Sequence, residues 1–139
     1  MPGGRIDEVI TGAAAVRNEI FMNAQDNCIF CKIVAGQLPS NKVYEDDDML
    51  AFHDIHPKAP VHLLVIPKSH VDSLADCGAG DGQVLARMML KVPELARAAG
   101  CSNGFRTVIN TGPDGGQEVY HLHLHVLGGP RHAWKGPLP

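Results

Sequence analysis

The chain has 139 residues, enough for one domain whose apolar core needs neither disulfides nor metal as its sole support. It is 45% hydrophobic and 19% charged, an ordinary globular balance, and no apolar run approaches a membrane span. A formal net charge of −3 offers no broad basic surface, which argues against nucleic acid as the main partner.

Residues 1–25, "MPGGRIDEVITGAAAVRNEIFMNAQ", differ in character from the rest. Asp7, Glu8, Arg17 and Glu19 break any apolar core, so a secretory signal is not expected. Ile6, Val9, Ile10, Ala13, Val16 and Ile20 have roughly helical spacing, which allows a short amphipathic helix. Met22 is expected to be the natural start, with the preceding segment a leader from an upstream start or an added segment, and residues 26–139 the domain. The four cysteines, Cys28, Cys31, Cys77 and Cys101, are too few and too irregular for a secreted disulfide scaffold, so a reducing cytoplasm is expected. Cys28 and Cys31 have the two-residue spacing that lets two thiolates reach one tetrahedral zinc. A redox pair shares that spacing but normally sits in a βα unit, and nothing of that kind precedes Cys28. Two buried thiols beside Ile29 and Phe30 are the third reading.

Farther along, "KVYE" and "MLAFHDI" flank Asp46-Asp47-Asp48 and predict a hairpin with an acidic turn. Pro57 and Pro60 punctuate a loop, and "VHLLVIPK" is a buried strand ended by Pro67. Val84, Leu85, Met88, Val92, Leu95, Ala96 and Ala99 form one stripe of a helix from Asp81 to Ala99. Asp81 is expected to cap it, Pro93 to kink it and Gly100 to end it. Two strands follow, "FRTVIN" and "VYHLHLHVL", joined by the loop 111–116, and the Pro- and Gly-rich tail has no regular structure. The sum is an α+β domain: an antiparallel sheet of about five strands with a main helix on one face.

The last strand carries the chemistry. Side chains alternate between faces of a strand, so Leu122, Leu124 and Val126 face the core while His121, His123 and His125 form a row on the other side. A merely solvated face would rarely be three histidines at period two. One metal on all three is disfavoured by distance, because alternate residues lie about 6.6 Å apart and the outer two about 13 Å. A nucleophile with helpers fits better: a neutral imidazole attacks phosphorus well once its other nitrogen is held in one tautomer, and His123 has partners on both sides. The loop Asp114-Gly115-Gly116-Gln117 just upstream could offer backbone N–H groups to a phosphate.

"HLHLHVLGG" resembles the His-x-His-x-His motif of the histidine triad (HIT) superfamily. "VYEDDDMLAFHDIHPKAPVHLLVIPKSH", "NTGPDGGQEVYH" and the tail with Trp134 are similar to the branch of Hint-type purine nucleoside phosphoramidases. The resemblance spans about Asp26 to Trp134. It implies that His123 is the nucleophile, His125 its phosphate-binding partner in leaving-group protonation, and His62 the additional histidine beside them. It implies that Asp54 accepts both ribose hydroxyls, that Ile29, Phe30, His53, Ile55 and Leu64 wall the base and ribose, and that Asn110, Gly116, Gln117 and Glu118 flank the phosphate. Glu118 stands where many animal members have serine. The implied activity is hydrolysis of AMP linked through nitrogen to an amine, with no cofactor needed for catalysis. Alternatives are the diadenosine-polyphosphate hydrolase branch and a non-catalytic nucleotide-binding scaffold, whereas a uridylyltransferase would carry Gln in place of His125. The resemblance also implies a homodimer built on the helix Asp81–Ala99 and the strand Phe105–Asn110, with Trp134 near the second copy's active site. Some members with a cysteine pair add a histidine from a "PKSH"-like turn and the first triad histidine, here His70 and His121, giving a closed structural zinc site with Cys28 and Cys31.

Overall fold

The computed structural model describes residues 27–139, and the helix allowed within residues 1–25 lies outside them. The elements in order are α1 (Ile29–Val34), β1 (Lys42–Glu45), β2 (Met49–His53), β3 (Val61–Pro67), α2 (Gly82–Ala98), β4 (Phe105–Val108) and β5 (Leu124–Gly128). The strands form one antiparallel sheet in the order β1-β2-β3-β5-β4. The expected α+β architecture, five strands and one main helix, is the one observed.

Residues paired across a ladder share a face, so the register sorts the side chains. Met49, Ala51, Leu63, Val65, Leu124 and Val126 lie on one face, where Met88, Val92, Leu95 and Ala96 of α2 complete a fully apolar core. Leu50, Phe52, Leu64 and Ile66 lie on the other face, with Phe30 and Ile33 of α1. The same register puts His62 and His125 on this second face. One sheet thus separates an oily side from a side that can hold polar chemistry.

Local chemistry explains the main turns. Asp46 Oδ1 accepts the N–H groups of Asp48 and Met49 at 2.8 and 3.0 Å, closing the β1–β2 hairpin. Arg87 on α2 donates to Asp46 and Asp48, tying the hairpin to the helix. At the other end of α2, Gly100 N–H bonds the carbonyl of Arg97 and Cys101 N–H that of Ala96, with Gly100 at φ +94°. That pair of bonds is a Schellman termination, and it needs the left-handed residue that glycine supplies.

Three expectations change. Asp81 does not cap α2; its carboxylate turns back to accept Gly78 N–H at 2.8 Å. The last strand begins only at Leu124, so His121 and His123 precede the ladder although their alternation continues the strand's pattern. β4 likewise ends at Val108, short of Asn110.

Candidate active site

The histidine row is buried: His121, His123 and His125 are 0%, 7% and 8% exposed, which removes the reading as a solvated face. His125 sits on β5 directly opposite Leu64, and His62 lies two residues back on β3, on the same face. His123 stands just ahead of β5, its ring 4.9 Å from that of His125. Phe30 meets His123 edge-on at 5.2 Å and His121 at 5.8 Å, so α1 forms the wall behind both rings.

Hydrogen bonds fix which nitrogen of each ring carries the proton. A carbonyl oxygen can only accept, so the 2.7 Å contact between His123 Nδ1 and the His121 carbonyl makes Nδ1 the donor. His123 Nε2 is therefore left with an open lone pair. Lys58 N–H donates to His62 Nδ1 at 3.0 Å, so the proton of His62 is on Nε2 and points at His125 Nδ1, 3.0 Å away. His125 in turn carries its proton on Nε2. The neighbouring rings thus present a lone pair and an N–H side by side. Asp54 completes the chain, with Oδ2 3.4 Å from His62 Nε2 and Oδ1 accepting His56 N–H at 2.8 Å.

Burial keeps these rings neutral. Loss of hydration, reinforced by repulsion from His123 and His62, lowers His125 to about 4. Burial likewise lowers His123, opposed by the His121 carbonyl and by the negative charges of Asp54 and Glu118. His62 is lowered by burial against the attraction of Asp54.

His121 faces elsewhere. Its Nε2–H donates to the Pro67 carbonyl at 2.8 Å, turning Nδ1 toward Cys28 Sγ (3.4 Å), Cys31 Sγ (3.5 Å) and His70 Nδ1 (3.2 Å). Cys31 Sγ is 3.3 Å from His70 Nδ1, and His70 Nε2–H donates to Asp72 Oδ1 at 2.7 Å. The four donor atoms lie within 4.8 Å of one another and could hold a metal ion. Cys28 also caps α1, its Sγ accepting Cys31 N–H at 3.3 Å.

The other expected residues divide. Phe30 and Leu64 are buried beside the histidines, while Ile29 and Ile55 lie open to solvent, Ile55 81% exposed. His53 pairs with Leu63, which assigns it by register to the helix-covered face, away from His62. Asn110 is half-buried and Glu118 exposed. Gln117 is buried with its amide committed: Oε1 accepts Gly112 N–H, and Nε2 donates to the Asp72 and Val119 carbonyls. The N–H groups of Gly115, Gly116 and Gln117 bond carbonyls within the loop, so these three do not form the expected open phosphate nest. Gly116 takes φ +77°, and a side chain on Gly115 would strike the Thr111 carbonyl; both glycines serve the loop's own fold. Sequence reasoning missed the Lys58 N–H, the Pro67 carbonyl and Asp72. Only Asp72 left a trace, as a carboxylate two residues after His70.

This fold and site define a known class. Residues 35–132 match the HIT domain family, and the chain belongs to it. Cys28 and Cys31 lie ahead of the matched span. Among relatives, Protein HitA of Neisseria gonorrhoeae is 58% identical over 105 residues, covering 76% of this chain and 98% of that protein. The crystal structure of a HIT family hydrolase from Legionella pneumophila superposes with a TM-score of 0.73 at 50% identity, covering 75% of this chain and 94% of that one. A histidine triad protein from Clostridium difficile gives 0.71 at 46%, covering 81% and 94%. The chain is a hydrolase-like member of the HIT family, and among its described residues no helix is long and apolar enough to cross a membrane.

Proposed function

We propose that this protein hydrolyses purine nucleoside 5'-monophosphoramidates to AMP and an amine through a nucleotidyl-histidine. The observation that carries this reading is the pairing of opposite tautomers: the open lone pair on His123 Nε2 beside the Nε2–H of His125. His123 Nε2 attacks phosphorus and the P–N bond of the substrate breaks. The departing nitrogen, held by the Nε2–H of His125, takes a proton from the incoming water and leaves as a neutral amine. The hydroxide so formed attacks the same phosphorus, the bond to His123 breaks and AMP departs, with His125 keeping its proton throughout. The His125 N–H also faces the phosphate oxygens whose charge grows during each step. Asp54 keeps acceptor capacity for the ribose hydroxyls, and Ile29 and Ile55 offer open apolar surface to the base.

The test is a side-by-side assay of AMP release from adenosine 5'-phosphoramidates and diadenosine polyphosphates, with rapid quench and mass spectrometry to catch AMP on His123. Preferential cleavage of the dinucleotides would move the chain to the polyphosphate hydrolase branch. Binding of AMP without any turnover would leave a nucleotide-binding scaffold.

We further infer that the Cys28, Cys31, His70 and His121 cage holds zinc. A tetrahedral zinc with Zn–N about 2.0–2.1 Å and Zn–S about 2.3 Å has N–N edges of roughly 3.3 Å and N–S edges of roughly 3.5 Å. The cage offers 3.2 Å between its imidazole nitrogens and 3.3–3.5 Å between sulfur and nitrogen. Both ligand imidazoles donate their other N–H to an oxygen, as metal-bound histidines do. Four protein ligands make the role structural, and the thiolates suit a reducing cytoplasm.

A homodimer is the expected assembly. Met89 and Leu90 on α2 and Phe105 on the edge strand β4 are exposed large apolar groups. Trp134 lies against Arg131 and Arg106, 4.5 and 5.5 Å from its ring centre, beside the groove that borders β4. Trp134 would then stand near the second copy's active site. Light scattering at micromolar concentration tests the assembly.

A further inference from the structure

We propose that the cage is a positioning device for the nucleophile, with His121 as the positioning residue: its ring is gripped by the cage while its main-chain carbonyl sets the tautomer and aim of His123. The inference rests on the reading of His123 as nucleophile only for its catalytic consequence; the coupling itself is a property of the unliganded protein.

His121 contributes two groups to two sites. Its Nδ1 faces two sulfurs and His70 Nδ1 at 3.2–3.5 Å, and its carbonyl accepts the His123 Nδ1–H at 2.7 Å. Residues 121–123 precede the ladder, whose first pair on β5 is Leu124 with Val65, so the sheet does not fix that carbonyl. What holds the segment is the cage and its surroundings. Leu122 N–H bonds the carbonyl of Val71 at 2.8 Å, next to the ligand His70. The His121 ring bonds the Pro67 carbonyl, and Gln117 ties the Asp72 carbonyl to the loop before the histidines. Phe30 links the sites from the other side: it lies in the turn between the two cysteine ligands and touches the rings of both His121 and His123.

Release of the ring from the cage lets residue 121 turn about its backbone, and the carbonyl leaves His123. An imidazole without that acceptor can carry its proton on either nitrogen, and only the form protonated on Nδ1 keeps the lone pair on Nε2. Groups that orient metal ligands typically matter by 10–100-fold. A loss of kcat of about that size, with little change in AMP affinity, is expected here by the same logic.

The experiment uses the full chain labelled with nitrogen-15 in its histidine rings and no substrate. Long-range nitrogen–proton correlations report which His123 nitrogen is protonated in zinc-loaded protein, in protein stripped with a chelator, and in Cys28→Ser. The loaded protein should show one tautomer, protonated on Nδ1, and the stripped protein and Cys28→Ser a mixture. A loss of kcat by roughly 10-fold or more, with the Kd for AMP within about twofold, should accompany it. If Cys28→Ser does not fold, Asp72→Ala keeps all four ligands while removing the acceptor for His70. Stepwise zinc addition to it should then move the His123 tautomer in proportion to occupancy. A His123 that stays protonated on Nδ1 in folded, metal-free protein overturns the proposal. A tautomer that follows zinc in a protein without phosphoramidase activity upholds the coupling and removes the proposed reaction instead.

Discussion

The two faces of the sheet are stabilised by different physics. On the α2 side, Met88, Val92 and Ala96 close over Ala51, Val65, Leu124 and Val126, every one at most 2% exposed, and apolar area removed from water supplies the stability. On the α1 side four histidines are nearly as buried, and each has a specific partner: a carbonyl, a backbone N–H, a sulfur or another imidazole. Packing tolerates any side chain of the right volume. The histidine side tolerates only groups that donate and accept in the right order, because an unmatched buried polar atom costs about 1–3 kcal/mol. The same chain therefore has one face built for stability and one face where stability is subordinate to aim.

The comparison is broken most severely by His123→Ala. Turnover of phosphoramidate should fall to the background rate, while the fold and AMP binding persist, because the α2 core is untouched. Single-turnover kinetics and circular dichroism together check this; a variant with near-normal rate would remove the nucleophile.

Met88→Ala and Cys28→Ser should destabilise by similar amounts for opposite reasons. Met88 is fully buried, and its truncation leaves a cavity costing about 2–5 kcal/mol. Activity per folded molecule should stay normal. Loss of a zinc bound at about 100–1,000 times its dissociation constant removes roughly 3–4 kcal/mol, or about 12–16 °C in Tm. Added zinc should raise the Tm of Met88→Ala but not that of Cys28→Ser, and elemental analysis should find metal only in the former. Equal response to zinc in both would mean that the cysteine is packing and not a ligand.

Much of the helix-covered face was legible in the sequence, because α2 keeps a 3.6-residue stripe and the strands keep their period of two. The four cage residues were legible as well, from ligand type, the Cys-x-x-Cys spacing and the resemblance. What escaped was local. Alternation at His121 and His123 reads as strand, yet among the described residues the ladder begins only at Leu124, since pairing is a property of the partner and not of the segment. α1 is six residues long and is capped by Cys28, and cysteine is no ordinary cap signal. Gln117 and the glycine loop looked like a phosphate cradle because the same residue types build a self-satisfied turn.

A smaller effect should appear on the acid side. His125 is held at about 4 against an ordinary 6.5, and His62 and His123 are lowered too, so between those pH values the unfolded chain binds more protons than the folded one. Stability contributed by keeping these rings neutral is complete above about 6.5 and is lost as pH falls toward 4. Tm should be level from neutral to mildly alkaline pH and decline below 6.5, and kcat/KM should show no break at 6.5 itself. A rate that halves near that value would mean a solvated histidine controls the step. Met88→Ala should shift the whole Tm curve down without altering its acid slope.

The smallest effect is expected at Asp81, and it sharpens the account of the packed face. If α2 is held by its apolar stripe, the state of its first turn should count for little. A true N-cap aspartate accepts an N–H of the first helical turn, and its replacement by alanine costs about 0.5–2 kcal/mol. Asp81 instead has helical backbone angles, φ −91° and ψ −5°, and its carboxylate bonds Gly78 N–H, an exposed contact outside the helix. Water can replace that contact, so Asp81→Ala should lower stability by less than about 0.5 kcal/mol, a Tm change of roughly 1–2 °C. Denaturant melts of the variant beside Met88→Ala give the ratio directly. A loss above about 1 kcal/mol would mean that the carboxylate turns to the helix in solution, and that α2 depends on its cap as well as on its stripe.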